Sequence, residues 1–265
     1  IDRSITRTDF VSNYVVYEHP LNERIRTFLR LEYLFKKTEH FMAFDDAWAT
    51  RSAVDAILDI ASITSRSDIK TEILKELERN ASTLNRMRRQ RGVDLETLGQ
   101  VLENLEQATS RVYRLDGQIG QQIRENDFVK SVVQRSSIPG GTCSFDLPQF
   151  HHWLQQSTAL RRQQLQDWMI GLEPVRDSLY LLLSLTRSSN TPRRATAARG
   201  FFQDSLDVQA PAQMVRVALD PGLPLFPEVS GHKNRFSIRF MESLGTERPS
   251  QAQSDVDFLL TCCVI

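Results

Sequence analysis

HKNRFSIRFM, residues 232–241, alternates more regularly than any other stretch of this chain. Successive side chains of an extended strand point to opposite faces, so Phe236, Ile238 and Phe240 share one side and Lys233, Arg235, Ser237 and Arg239 the other. The apolar side has to be buried, which turns the basic side outward. Residues 214–219 (MVRVAL) and 256–263 (VDFLLTCC) share the two-residue period, the latter with Val256, Phe258, Leu260 and Cys262 inward. Asp220-Pro221-Gly222 is a turn between strands, and residues 14–17 (YVVY) form a further short strand. Strands in succession after a helical run predict an α+β chain: a mainly α-helical domain plus a smaller antiparallel β-domain built largely from the C-terminal third.

Upstream of residue 190 the apolar residues recur at helical spacing. A first helix follows EHPLNE (18–23) with Ile25, Phe28, Leu29 and Leu31 on its apolar side, and Asp45-Asp46 opens a second carrying Trp48, Val54, Ile57 and Leu58. Ser65 or Ser67 is placed to cap a third, through Ile69, Ile73, Leu77 and Leu84 to Gly92, and Asp94 begins a fourth that stops near Gly117. The short connection at Gly92 makes these two antiparallel neighbours. Shorter helices are expected at 118–124 and 127–135.

SSIPGGTCSFDLPQFHHWL (136–154) then interrupts the helical run. Pro139 fixes φ and the two glycines permit a tight turn, so residues 142–145 read as a short strand or hairpin piece. Asp146 is placed to cap the next helix, with Pro148 in its first turn and His151 and Trp153 riding on it. Ser157 caps another helix, and Glu173-Pro174 starts one that is nearly apolar all round. Residues 191–200 are polar, basic and broken, and read as a linker or exposed loop. The expected domains are 18–190, helical with a turn or strand insertion near 138–146, and 191–265 with strand 14–17, β. Residues 1–12 show no periodicity and read as an arm.

At 40% apolar and 25% charged residues the 265-residue chain has the composition of a globular protein. Lysine plus arginine equals aspartate plus glutamate at 33 each, so attraction to an acidic partner must come from a local patch and not from the whole surface. The longest apolar run, residues 179–185, is far short of the ~18 to 20 residues a membrane span needs. Cys143, Cys262 and Cys263 are odd in number, with two adjacent, and no C-x-x-C pair is present; buried, reduced thiols in a cytoplasmic protein are expected.

No reaction centre assembles from these residues, and no cofactor is expected. Cys143 with His151 has the residue types of a thiol nucleophile and base, but no orienting group or oxyanion donor can be named. His151 and His152 are adjacent on a helix and diverge, with no third ligand at metal spacing. Ser230-Gly231-His232-Lys233 is followed by a strand instead of a helix, and so is no phosphate loop. What remains is basic chemistry on ordered elements. Arg235 and Arg239, with Lys233 and the flanking His232, occupy a fixed strand, where the planar guanidinium suits carboxylates. On the first helix Arg26, Arg30 and Lys37 share a face, read either as solvated or as one wall of an acceptor for an acidic segment.

Ile138-Pro139-Gly140-Gly141, then CSFDLP (143–148), His151 and Trp153-Leu154 resemble the signature of the ZapD family of bacterial cell-division factors. EHPLNERIRTFLRLE (18–32), EILKELER (72–79), GFFQD (200–204) and SGHKNRFSIRF (230–240) agree as well. The resemblance runs from about Tyr14 to Cys263. It implies a cytoplasmic, non-enzymatic homodimer, recruited to the mid-cell division site, that binds the C-terminal tail of the tubulin-like GTPase FtsZ and bundles its filaments. Arg26, Arg30, Arg124, His151, Lys233, Arg235 and Arg239 match basic positions of that family, and with His232 they form the candidate FtsZ-binding surface. A nucleic-acid-binding module using strand 232–241 and loop 191–199 is the alternative. It needs aromatic platforms beside the charges, and Phe236 and Phe240 fall on the opposite face.

Overall fold

The structure, a computed structural model, describes residues 14–66, 68–88, 92–207, 209–232, 235–243 and 245–264. The arm read at 1–12 lies outside them. The chain divides into two compact units: Phe28–Leu183, and a second made of the chain up to Thr27 together with the part from Ser184 onward. The division falls inside two helices, not at residues 18 and 190. The α+β class is as the sequence reading has it.

Nine helices are formed among the described residues: α1 Glu23–Met42, α2 Ala47–Arg66, α3 Ile69–Met87, α4 Leu95–Tyr113, α5 Gln121–Glu125, α6 Asp127–Ser136, α7 Pro148–Leu154, α8 Thr158–Ile170 and α9 Glu173–Ser188. Most start on a side chain that satisfies orphan backbone N–H groups. Asp46 accepts from the amides of Trp48 and Ala49 at 2.9 Å, Asp94 from Glu96 and Thr97, Asn126 from Val129 and Ser157 from Leu160. The cap of α3 is Asp68, which accepts from Thr71 N–H at 3.3 Å. Of the two serines expected there, Ser65 lies within α2 and Ser67 lies outside the described residues.

The helical unit is built on fully buried Phe35, Ile57, Ile60, Ile73, Leu77 and Leu105. Beside this core, Phe128 on α6, Phe150 and Trp153 on α7 and Trp168 on α8 stand 5.5–6.2 Å apart between ring centroids. The expected strand at 142–145 is absent. Gly141 N–H donates to Ile138 C=O, Cys143 N–H to Gly140 C=O and Leu147 N–H to Cys143 C=O, so the backbone groups close on themselves as turns. Arg51 on α2 ties these turns down by donating to Thr142 C=O at 2.9 Å, with its guanidinium 4.8 Å from the Phe150 ring centroid. Asp146 does not cap α7. Leu147 stands at the N-cap, and Asp146 instead accepts from the Cys143 thiol at 3.4 Å.

The second unit is a two-sheet sandwich. One sheet has the order β1-β4-β8-β2, from Val15–Pro20, Met214–Leu219, Val256–Cys263 and Arg193–Ala197. The other has the order β3-β6-β5, from Phe201–Ser205, Arg235–Glu242 and Leu225–His232, and β7, Ser250–Gln251, also pairs with β6. All pairings are antiparallel. Val215, Val217, Phe258 and Leu260 of the first sheet pack against Phe236, Ile238 and Phe240 of the second. The stretch at 191–200, expected as a loop, forms β2 and the turn into β3.

At that turn Gly200 has φ +69°, and a Cβ there would lie 2.6 Å from the Ala252 carbonyl oxygen. Only glycine fits, because β3 and β7 meet on Phe240: its N–H donates to Gly200 C=O at 2.8 Å and its C=O accepts from Ala252 N–H at 2.9 Å. On the outer side of the first sheet, Glu18 of β1 stands between two arginines. Its carboxylate accepts from Arg187 Nε and Nη2 at 2.8 and 2.7 Å and from Arg216 Nε at 3.0 Å, joining α9 to β1 and β4.

Candidate functional site: a basic sheet face

The stretch that decides the fold is not one strand but the end of a hairpin. β5 ends at His232 and β6 begins at Arg235, with His232 opposite Arg235 in register. Lys233 lies outside the described residues. From Arg235 onward the expected alternation holds: Phe236, Ile238 and Phe240 are 1%, 0% and 0% exposed, while Arg235 and Arg239 are exposed.

Neither guanidinium meets a carboxylate or a hydrogen-bond acceptor among the described residues. Glu228 of β5 faces Arg239 in register yet forms no ion pair with it, and on the other side Phe201 of β3 faces Arg239. The two arginines thus leave the strand about 13 Å apart along its backbone, at ~3.3 Å per residue, with that backbone pinned by the core beneath. Such a pair can accept two carboxylates of an extended segment with little ordering cost.

Arg26 belongs to the same unit. It is on the first turn of α1, partly engaged by Glu23 at 3.1 Å across exposed surface. Burial, and after it the Arg26 charge, hold His19 below the ordinary histidine value. A Cβ at Gly231 would lie 2.5 Å from Leu21 Cδ2 and 3.8 Å from His19 Nε2, so the end of β5 rests on the turn leading into α1. Residues 19–21 and Gly231, remote in sequence, therefore meet.

Arg30, Arg124 and His151 belong to the helical unit. Arg30 and His151 are exposed on α1 and α7. Arg124 is occupied internally: its Nη1 donates to Ile119 C=O at 2.6 Å and its Nη2 to the Gln118 side chain at 3.0 Å, fixing the turn before α5. In the second unit Arg193 pairs with Asp204 and lies 5.9 Å from the Phe202 ring centroid, across the sandwich corner, so it braces the fold instead of lying in a linker or exposed loop.

Sequence reasoning passed over Phe201. It is 39% exposed and directly across from Arg239, but Phe201-Phe202 breaks the alternation that would have assigned one ring inward and the other outward. Of the three thiols expected to be buried only Cys263 is fully so; burial pushes it up to about 12 and raises Cys262, while half-buried Cys143 donates to Asp146. Among the described residues no three of His, Cys, Asp and Glu cluster as metal ligands, and no helix is long and apolar enough to cross a membrane.

Comparison with known proteins identifies the family of the chain. A family model described as ZapD, cell division protein, matches residues 29–239. The cell division protein ZapD of Methylococcus capsulatus is 44% identical over 255 residues, covering 96% of this chain and 100% of the relative. Proteins of the same name from Chromobacterium violaceum and Dechloromonas aromatica are 39% and 40% identical, each over 94% of this chain and 99% of the relative. The chain belongs to the ZapD family of cell division proteins.

Proposed function

We propose that this protein binds the acidic C-terminal tail of FtsZ through the outer face of the β3-β6-β5 sheet and, as a homodimer, cross-links FtsZ filaments at the mid-cell division site in the cytoplasm. The observation that carries the reading is the pair Arg235 and Arg239, exposed, free of carboxylate partners among the described residues, and held on a strand whose other face is core. A chain of zero net charge that keeps two arginines unspent on a strand backed by the core has a local acceptor for an anion. Two copies of such an acceptor on one dimer bridge filaments by multivalency, the second contact forming at high effective concentration. The role is one of binding, without chemistry and without cofactor.

Arg235→Glu with Arg239→Glu tests this. The double variant is expected to keep its circular dichroism and its dimer mass and to lose co-sedimentation with FtsZ polymer; unchanged co-sedimentation refutes the assignment. Phe201 beside Arg239 supplies the nucleic-acid alternative with one aromatic ring, and a salt-dependent shift of mixed DNA or RNA by the same face would favour that reading instead.

A further inference from the structure

α3 and α4 pack chiefly against each other, and the residues they bury do not use up their apolar surface. Ile69, Ile73 and Leu77 of α3 and Leu98, Leu105 and Val112 of α4 are buried. A step round each helix lies a second stripe, Leu74, Glu78 and Ala81 on α3 and Gly99, Leu102, Glu106 and Tyr113 on α4, at the spacing of one helical face. The two stripes line a groove of about 840 Å³. Its floor is apolar and open: Leu74, Ala81 and Leu102 are half-buried, Tyr113 is 74% exposed, and a Cβ on Gly99 would meet nothing within 4 Å. From Leu98 to Tyr113 the groove follows α4 for about 22 Å, roughly four helical turns.

The rim is acidic. Glu78, Glu103 and Glu106 are exposed and line the groove near its mid-length, against a single lining guanidinium, Arg88, among the described residues. No cation pairs with any of the three among the described residues, and Glu103 accepts from the Gln107 side-chain amide at 3.1 Å. Glu103 and Glu106, three apart on one helix, repel each other, and a cation set between them relieves that.

We propose that this groove docks an amphipathic helix of another protein, one whose apolar stripe is flanked by lysine or arginine. The apolar stripe seats on Leu74, Leu102 and Tyr113, and the flanking cations meet Glu78, Glu103 and Glu106. Charge complementarity selects that occupant over the others an apolar groove could take. A second copy laid along the whole groove by a two-fold axis brings its own three carboxylates against these, and an acidic segment is repelled outright. The site therefore differs in chemistry from the basic sheet face and does not depend on the function proposed for it.

The probe is a labelled synthetic helix of about four turns, leucine along one face and lysine on both flanks, titrated with the whole chain and followed by fluorescence anisotropy. Saturable binding is expected, and is lost when glutamate replaces the lysines. Gly99→Trp fills the groove from a position with room for a side chain and is expected to weaken binding about tenfold or more, with circular dichroism unchanged. Glu103→Lys with Glu106→Lys, both exposed, is expected to weaken it as much and to gain binding of the glutamate peptide. No saturable binding of the lysine peptide, equal binding of the glutamate peptide, or binding that survives both variants overturns the proposal. So does a sedimentation mass that falls from dimer to monomer in Gly99→Trp, which would assign the groove to a second copy. Co-sedimentation of Gly99→Trp with FtsZ polymer is expected to match the parent protein, so failure here and failure of the proposed function are read separately.

Discussion

Glu18 is the test of what joins the end of α9 to the sandwich. Its side chain is 19% exposed, and its carboxylate receives three charged hydrogen bonds, two from Arg187, 22% exposed, and one from Arg216, 17% exposed. Glu18→Ala removes the anion and leaves its two cations without that counter-charge in a largely desolvated place. Breaking a fully buried pair in this way costs about 3–5 kcal/mol. Water still reaches a fifth of each side chain, so about 2–3 kcal/mol is expected. At roughly 2–4 °C per kcal/mol for a chain of this size, the melting temperature falls by roughly 4–12 °C, read by circular dichroism. Glu18→Gln, which keeps an acceptor but not the charge, falls between. Adding Arg216→Met to Glu18→Ala recovers part of the loss, because it removes one of the two cations that lost this counter-charge. A Glu18→Ala variant that melts within 1–2 °C of the parent protein would refute this reasoning, showing the cluster to be solvated and energetically idle.

Gly200→Ala combines a disfavoured left-handed φ with a Cβ 2.6 Å from a backbone oxygen; a loss of about 2–4 kcal/mol is expected in urea unfolding, whereas Gly99→Ala, with open space around it, leaves stability unchanged or slightly higher. His19, whose pKa burial and Arg26 depress, stays neutral in the fold below the pH at which it charges in the unfolded chain. The unfolded state thus takes up the proton first, and stability is expected to fall as pH drops from about 6.5 toward the depressed value. Arg26→Gln moves the His19 titration upward, and NMR titration of the imidazole protons measures it.

The sequence exposed this architecture where a strand has one buried face. β6 alternates cleanly because the core lies beneath it and Arg235 and Arg239 are exposed on its other face among the described residues. β8 does not: Leu259, Thr261 and Cys263 are buried along with Val256, Phe258 and Leu260, so both faces are covered and period two fades into a continuous run. β2 was hidden for the opposite reason. Only Ala195 and Ala197 turn inward there, and a sequence as polar as RRATA carries too little apolar signal to mark a corner strand.

β5 contains Pro227 and Gly231, both ordinarily read as strand breakers. Pro227 is tolerated because it faces Phe240, whose N–H is committed to Gly200 on the far side, so the missing proline N–H lies on the free edge. Of the candidate site, the β6 arginines were legible from alternation alone. The internal use of Arg124 was not, since it depends on the carbonyl of Ile119 turning back toward it, and no spacing rule encodes that.

The central claim is that a rigid basic sheet face, and not the overall charge of the protein, captures the FtsZ tail. The most direct measurement immobilises the tail peptide beside a scrambled peptide of identical composition and passes the protein over both at low salt. Retention on the native peptide, much reduced on the scrambled one and absent for Arg235→Glu with Arg239→Glu, is the predicted result. Equal retention on the two peptides, or undiminished retention of the double variant, contradicts it.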